Sequence, residues 1–198
     1  MIRFDHVSKH YPGHRGALSD ITVEIADGEF VYLIGPSGAG KTTMLRLIMR
    51  DIVPTSGTLL VDEWKIASIP ANQIHHLRRR VRTVYQDFKL LADRTVYENV
   101  AVGLEVLGKA EGEIAKDVMK ILSLVNLEDK YRQFPLQLSA GEILDILEEV
   151  NSIGTTVIMA THNAGIVNER KKRTLTLDDG TIHSDEVKGR YHVSKKKT

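Results

Sequence analysis

A glycine-rich octapeptide that directly follows an apolar stretch constrains this chain more than any other feature of its sequence. The eight residues fit the pattern G-x-x-x-x-G-K-[ST]: Gly35, Pro36, Ser37, Gly38, Ala39, Gly40, Lys41 and Thr42. Residues 30–34 before them are apolar and strand-prone, and residues 43–48 continue with helical spacing. A strand, a phosphate-binding loop and a helix in this order predict an α/β nucleotide-binding core.

The chemistry of this loop explains its composition. Glycines let the backbone curl so that successive N–H groups point at a β-phosphate, and the helix that follows adds its positive N-terminal end. Lys41 is expected to reach the β- and γ-phosphates, Thr42 to complete the shell of a Mg²⁺ ion, and Thr43 to stand beside them in the first helical turn. The alternative is a glycine-rich turn between a strand and a helix that binds no ligand.

Composition limits the remaining possibilities. A chain of 198 residues that is 42% hydrophobic is long enough for one α/β domain with a small subdomain. It has no cysteine, so disulfides and thiolate metal sites are excluded. A net charge of +1 gives no indication of a nucleic-acid partner. No apolar run is long enough to span a bilayer, and we expect a cytoplasmic protein unless a partner holds it at a membrane.

The order of predicted elements follows from periodicity and turn residues. We expect strands over residues 2–10, 17–25, 30–34, 58–61, 81–85 and 156–160, and helices over residues 74–80, 96–107, 113–125 and 143–150, then a short helix and a hairpin around residues 178–180. Thr95 and Glu98 have the spacing of a capping box at the start of one helix. Internal repeats and linkers are absent from the sequence, so one domain is the simplest count.

Four further segments resemble one family. Tyr11 lies upstream of the loop, Gln86 ends a predicted strand, residues 138–142 read Leu-Ser-Ala-Gly-Glu, and His162 follows a buried strand. In this order and spacing, which cover nearly the whole chain, the sequence is similar to the nucleotide-binding subunits of ABC transporters. The resemblance implies a P-loop ATPase core with an antiparallel β subdomain and a small helical subdomain at about residues 87–140.

The resemblance also implies roles for single residues, each beside a plainer alternative. Tyr11 would stack on adenine, although a tyrosine at a strand end is also ordinary packing. Gln86 would bind Mg²⁺ or orient water, although it could be a solvated amide. His162 would contact the γ-phosphate at the carboxyl edge of the sheet, where α/β folds bind ligands, although it could be a surface histidine.

Residues 139–141 begin the signature motif of the family. The resemblance implies that Ser139 and Gly141 bind the γ-phosphate of ATP held by a second subunit, so that a homodimer encloses ATP at its interface. Within the family, residues 85–91, 95–100 and 156–163 look most like the cell-division ATPases. This implies an integral membrane partner resembling FtsX, a location at the inner face of the membrane, and control of cell-wall hydrolysis. An export subunit for lipoproteins or small solutes and a regulatory module that binds ATP without hydrolysing it are the alternatives.

One departure from the family pattern is large. After Glu142 some thirty residues are missing, including a strand whose Asp and Glu hold the Mg²⁺ shell and polarise the attacking water. We expect that strand to lie beside the phosphate-loop strand. Glu148 and Glu149 do not replace it, because no apolar strand precedes them. Either the molecule contains residues that the sequence lacks, which we favour because the flanking segments are retained, or the protein is a poor ATPase.

Two basic runs, residues 78–82 and 171–173, have two interpretations. We favour a solvated helix face over contact with anionic headgroups or an acidic partner.

Overall fold

The structure is a computed structural model that describes residues 1–12, 17–81, 91–106, 108–138 and 140–191. It divides into two compact units, Met1–Gln86 with Gly154–Thr198, and Asp87–Ile153. The predicted helical subdomain falls within the second unit. The count of one domain stays a prediction.

The first unit contains an antiparallel sheet with the strand order β2-β1-β4-β5. Its strands are β1 (Ile2–Lys9), β2 (Leu18–Ile25), β4 (Ser56–Val61) and β5 (Trp64–Lys65). From Ile21 to Ile25 in β2, buried and exposed residues alternate, as expected for a strand with one face on a core. The strands predicted for this sheet are therefore confirmed. Strand β5 was not predicted, because two residues are too few to show a periodic pattern.

A second sheet of the same unit carries the glycine-rich loop. It has the order β6-β3-β7-β8, formed by β3 (Phe30–Ile34), β6 (Val157–Ala160), β7 (Arg173–Asp178) and β8 (Thr181–Glu186). Strands β6 and β7 both run parallel to β3, with Leu33 opposite Ala160 on one side and Leu175 on the other. Every residue of β3 and β6 is buried, which is typical of strands covered on both faces.

This pairing corrects one expectation. The missing strand cannot lie beside the phosphate-loop strand, because a strand has two edges and both edges of β3 are occupied. Within the described residues, β6 and β8 are the two outer strands of this sheet, and β6 is the one that pairs with β3. A cavity of about 220 Å³ bordered by Ile48, Val81 and Ile158 lies next to it. The space in this unit for a further strand therefore lies next to β6, not next to β3.

Among its described residues, the first unit contains three α-helices: α1 (Lys41–Ile48), α2 (Ile74–Arg80) and α6 (Ala164–Arg170). Helix α1 buries Met44, Leu45, Leu47 and Ile48 in the core that both sheets share. Helix α2 has the predicted bounds. Of the strand predicted over residues 81–85, all but Val81 lies outside the described residues.

The second unit is helical, with α3 (Val96–Val106), α4 (Glu111–Leu124) and α5 (Ala140–Ser152). The predicted capping box of α3 is present: the Glu98 carboxylate accepts from the Thr95 N–H at 2.7 Å, and the Glu98 N–H donates to the Thr95 hydroxyl at 3.2 Å. Helix α5 begins three residues before its predicted start. Nothing between Glu142 and Ile143 breaks a helix, and Leu144 in the second turn of α5 is buried.

Candidate phosphate-binding site

The glycine-rich loop lines a cavity of about 370 Å³ at the carboxyl end of β3. Parallel pairing brings the ends of β3, β6 and β7 to the same edge of the sheet, so residues that follow these strands meet there. The lining residues come from the loop, from the start of α1, from the segment before β2 and from the segment after β6: Ala17, Gly35, Ser37, Gly38, Ala39, Gly40, Lys41, Thr42, Thr43 and His162.

Two glycines of the loop stand where no other residue would fit. Gly35 has a φ of +142°, and a Cβ there would lie 2.1 Å from the carbonyl oxygen of Leu177. Gly40 has a φ of +105°, and its Cβ would lie 2.5 Å from the carbonyl oxygen of Ala17. The loop is therefore pressed against the end of β7 and the start of β2, and only glycine permits both the conformation and the approach.

The Lys41 ammonium lies over the loop. Its Nζ donates to the carbonyl oxygens of Gly35 and Pro36, at 2.8 Å each. Partial burial lowers the pKa of Lys41. The side chain thus brings a cation into the cavity and is held there by two neutral acceptors, an arrangement that favours the approach of an anion.

The start of α1 adds donors. Helix α1 begins at Lys41, and the first N–H groups of any α-helix have no acceptor within it. The first turn holds no acidic side chain. The helix end therefore presents partial positive charge to the cavity on the same side as Lys41.

His162 reaches the cavity from the end of β6. The Thr161 N–H donates to the carbonyl oxygen of Leu33 at 3.2 Å, which extends the pairing with β3 to the residue before His162. Asn163 caps α6 through its side chain, which accepts from the Ile166 N–H. Held between these two anchors, His162 is exposed and lines the same cavity as Lys41.

The structure does not place the other predicted site residues in this cavity. Tyr11 is half-buried, with the Lys9 ammonium 5.3 Å from its ring centre, and it is not among the residues that line the cavity. Its adenine role stays a prediction. Gln86 and Ser139 lie outside the described residues, and Gly141 lies in the first turn of α5 in the second unit.

The basic runs are only partly solvated helix faces. Arg173 lies in β7, where it donates to Glu29 at 2.9 Å and to Asp185 at 2.7 Å, and its side chain is 17% exposed. These two carboxylates raise the pKa of Arg173. For Arg173 the expectation of a solvated helix face is therefore wrong: it ties the start of β3 to β8.

Two contributors to the site were missed from the sequence. Ala17 lines the cavity, and the carbonyl oxygen of Leu177 fills the space behind Gly35. Both act through backbone position, and each is remote in sequence from the loop that it touches. No local pattern signals such a contact.

Comparison with known proteins identifies relatives over nearly the full length. Residues 18–146 match the ABC transporter family. The chain is 42% identical to the cell division ATP-binding protein FtsE of Bacillus subtilis, over 96% of this chain and 98% of that protein. It is 38% identical to FtsE of Mycobacterium tuberculosis, over 98% of this chain and all of that protein.

Two solved structures have the same fold. One is a dimeric ATP-binding cassette in a post-hydrolysis state with ADP and phosphate bound, 25% identical with a TM-score of 0.74; the match covers 96% of this chain and all of that one. The other is a dimeric bacterial ABC transporter cassette, 26% identical with a TM-score of 0.75 over the same shares.

The alignment with the Bacillus subtilis protein also bears on the missing segment. It spans 224 positions, and this chain has 198 residues in all, so at least 26 positions (224 less 198) face a gap in this chain. The relative is therefore longer between its matched ends. A shortfall of this size agrees with the deficit inferred after Glu142.

We predict that Lys41→Ala weakens ATP binding at least about tenfold, or about 1.4 kcal/mol, because it removes the cation at the loop. Isothermal calorimetry measures the affinity. Lys65→Ala, which removes an exposed lysine from β5, is the control and should bind like the unaltered protein. Equal affinities for all three proteins would contradict the assignment of the loop.

If Tyr11 stacks on adenine, Tyr11→Ala will weaken ATP and ADP binding to the same extent, whereas Tyr11→Trp will retain it because a flat π-face remains. Competition with a fluorescent nucleotide gives both affinities. Equal losses for the two variants would assign Tyr11 to packing.

Proposed function

The chain belongs to the ABC transporter family of ATP-binding subunits, and we propose that it works as an FtsE-type ATPase that acts on a membrane partner during cell division. The α/β P-loop fold, the ATP-binding function and the relation to the cell-division members of the family confirm the predictions made from the sequence. An export subunit is not favoured, since the relatives with the matches given above are cell-division proteins.

The observation that carries the proposal is the single cavity shared by the loop, Lys41 and His162. Its glycines admit a polyphosphate close to the backbone, and Lys41 and the α1 N-terminus supply the positive charge that ATP would meet. His162, which lines the same cavity, would steady the γ-phosphate. Thr42 is the described residue whose hydroxyl would join a Mg²⁺ ion, and Gln86 is proposed as a second ligand. Bound Mg²⁺ would neutralise charge that develops on the phosphates.

A homodimer with ATP at the interface is the second part of the proposal. Both solved structures described above are dimers, and both are of the same ABC transporter cassette. Ser139 and Gly141 would offer the γ-phosphate of the other subunit a hydroxyl and backbone N–H groups at the start of α5.

The third part is the partner. In the portion of the chain that the structure describes, no helix is long and apolar enough to cross a membrane. We propose that an integral membrane protein resembling FtsX holds the ATPase at the inner face of the membrane and transmits its nucleotide state to cell-wall hydrolysis. Arg78, which donates to Asp51 at 2.6 Å, is partly exposed and would be one of the cations available near such a surface.

The fourth part concerns the rate of hydrolysis. We infer that the additional positions of the Bacillus subtilis relative carry the metal-binding Asp and the water-polarising Glu. Glu149 does not replace that Glu in the described structure, because its carboxylate accepts from the Asn126 side chain at 3.0 Å within the second unit. A chain without the segment keeps the residues that bind ATP and lacks the group that activates water.

The dimer is tested by mass in solution. We expect ATP with Mg²⁺ to convert monomer to dimer, and Ser139→Arg to prevent this because bulk and positive charge block closure. Ser123→Arg on the exposed face of α4 is the matched control and should dimerise. Light scattering that gives the same mass with and without ATP in all three proteins would contradict the interface.

The rate is tested together with an intact mass. A chain of verified mass 22.2 kDa should bind ATP yet release phosphate about 10² to 10⁴ times more slowly than the Bacillus subtilis relative, which is the usual cost of losing a water-activating group. Rapid turnover by that chain would contradict the proposed division of roles.

If the mass is instead larger by about 3 kDa, roughly thirty average residues, the segment is present. ATP turnover should then be measurable, and His162→Ala should reduce it while leaving nucleotide binding largely intact. Loss of binding in that variant would assign His162 to affinity.

A further inference from the structure

The turn between β7 and β8 lies against the glycine-rich loop, although some 140 residues separate them in the sequence. Its central residues, Asp179 and Gly180, have φ values of +44° and +79°. Two successive positive values define a type I′ turn, which suits a two-residue hairpin. Asp178 and Thr181 pair across it. Because β7 runs parallel to β3, this turn leaves the sheet at the edge where the loop begins.

The turn makes a hydrogen bond to the loop itself. The Gly180 N–H donates to the carbonyl oxygen of Ala39 at 3.2 Å. The end of β7 also lies against the loop, since the Leu177 carbonyl oxygen occupies the space behind Gly35 and a methyl group of Leu177 lies near Gly40. The hairpin therefore contacts the loop at Gly35, Ala39 and Gly40.

The bond to Ala39 has a geometric consequence. The Ala39 carbonyl and the Gly40 N–H belong to one planar trans peptide, so they point in opposite directions. When Gly180 holds the carbonyl on the outer side of the loop, the Gly40 N–H is directed to the other side. Gly40 lines the cavity, and its N–H is one of the donors available to a phosphate there.

The turn is itself anchored on its far side. The Gly180 carbonyl oxygen accepts from the Ser19 N–H of β2 at 2.8 Å. A single residue thus joins the antiparallel sheet to the loop through both of its backbone groups. The Arg173 ion pairs with Glu29 and Asp185 fix the other end of the same hairpin.

We propose that Gly180 is a positioning residue for phosphate binding: its N–H fixes the Ala39–Gly40 peptide so that the Gly40 N–H faces the bound phosphates. This inference rests on the proposed nucleotide site and adds to it a residue that does not line the cavity. The anchor at Ser19 makes the turn a fixed support, so the loop meets its ligand with that peptide already oriented.

The test compares substitutions that differ in whether they tolerate a positive φ. Gly180→Val strongly disfavours the turn conformation, whereas Gly180→Asn tolerates it and keeps the N–H. We expect Gly180→Val to weaken ADP binding and inorganic pyrophosphate binding at least about fivefold, and Gly180→Asn to restore both to within about twofold. Pyrophosphate, measured by displacement of a fluorescent ADP, reports on the loop without any contribution from adenine.

Gly108→Val is the matched control. Gly108 has a φ of +75°, close to that of Gly180, and no atom lies within 4 Å of its added Cβ. Gly108→Val introduces the same local strain in the second unit, so this variant should lose stability without binding pyrophosphate more weakly. Folded Gly180→Val protein that binds pyrophosphate as tightly as Gly108→Val would overturn the proposal.

A measurement on the unaltered protein covers the case in which Gly180→Val does not fold. In ¹H–¹⁵N spectra, addition of ADP should shift the amide resonances of Gly40 and Gly180 together and leave that of Gly108 unmoved. A shift at Gly40 with none at Gly180 would overturn the proposal. Absence of ADP binding by the unaltered protein would instead contradict the nucleotide site itself.

Discussion

The parallel pairing of β3 with β6 on one side and β7 on the other is the constraint on which the site depends. Parallel strands end at a common edge, so the glycine-rich loop, His162 and the β7–β8 turn are brought together although they are distant in sequence. Burial of every residue in β3 and β6 stabilises this arrangement, because both strands are covered on both faces. Loss of the β3–β6 pairing would remove His162 from the cavity that Lys41 lines, and loss of the β3–β7 pairing would remove the support of the loop.

Within that frame the loop is organised before a ligand arrives. Lys41 is held by two carbonyl oxygens of its own loop, which satisfy its ammonium while burial lowers its pKa. Neutral acceptors hold a cation less strongly than a polyphosphate would, since charge-assisted bonds between two ions are the stronger ones. Binding of a polyphosphate therefore exchanges weaker contacts of Lys41 for stronger ones. Gly180 is likewise held before a ligand binds, because both its N–H and its carbonyl oxygen are hydrogen-bonded.

Prediction from the sequence succeeded where the determinants are local. The strand before the loop, the helix after it, the Thr95 capping box and the Asp179–Gly180 hairpin each rest on residues within a few positions of one another. It failed where they are not. The missing strand was placed beside β3, whose edges are filled by strands from residues 157–160 and 173–178. One local boundary is also wrong: helix α5 begins at Ala140, three residues before its predicted start, because its first turn coincides with the signature motif.

By itself the sequence determined the phosphate-loop chemistry, the family and most element types, because glycine, lysine and apolar periodicity act through the backbone of their own segment. Only the tertiary structure decided which strands flank β3, that Arg173 is an internal clamp, and that the Leu177 and Gly180 backbone groups support the loop. Carbonyl and N–H groups are the same in every residue that bears them, so their partners depend on where the fold brings two chain segments together and leave no mark in residue type.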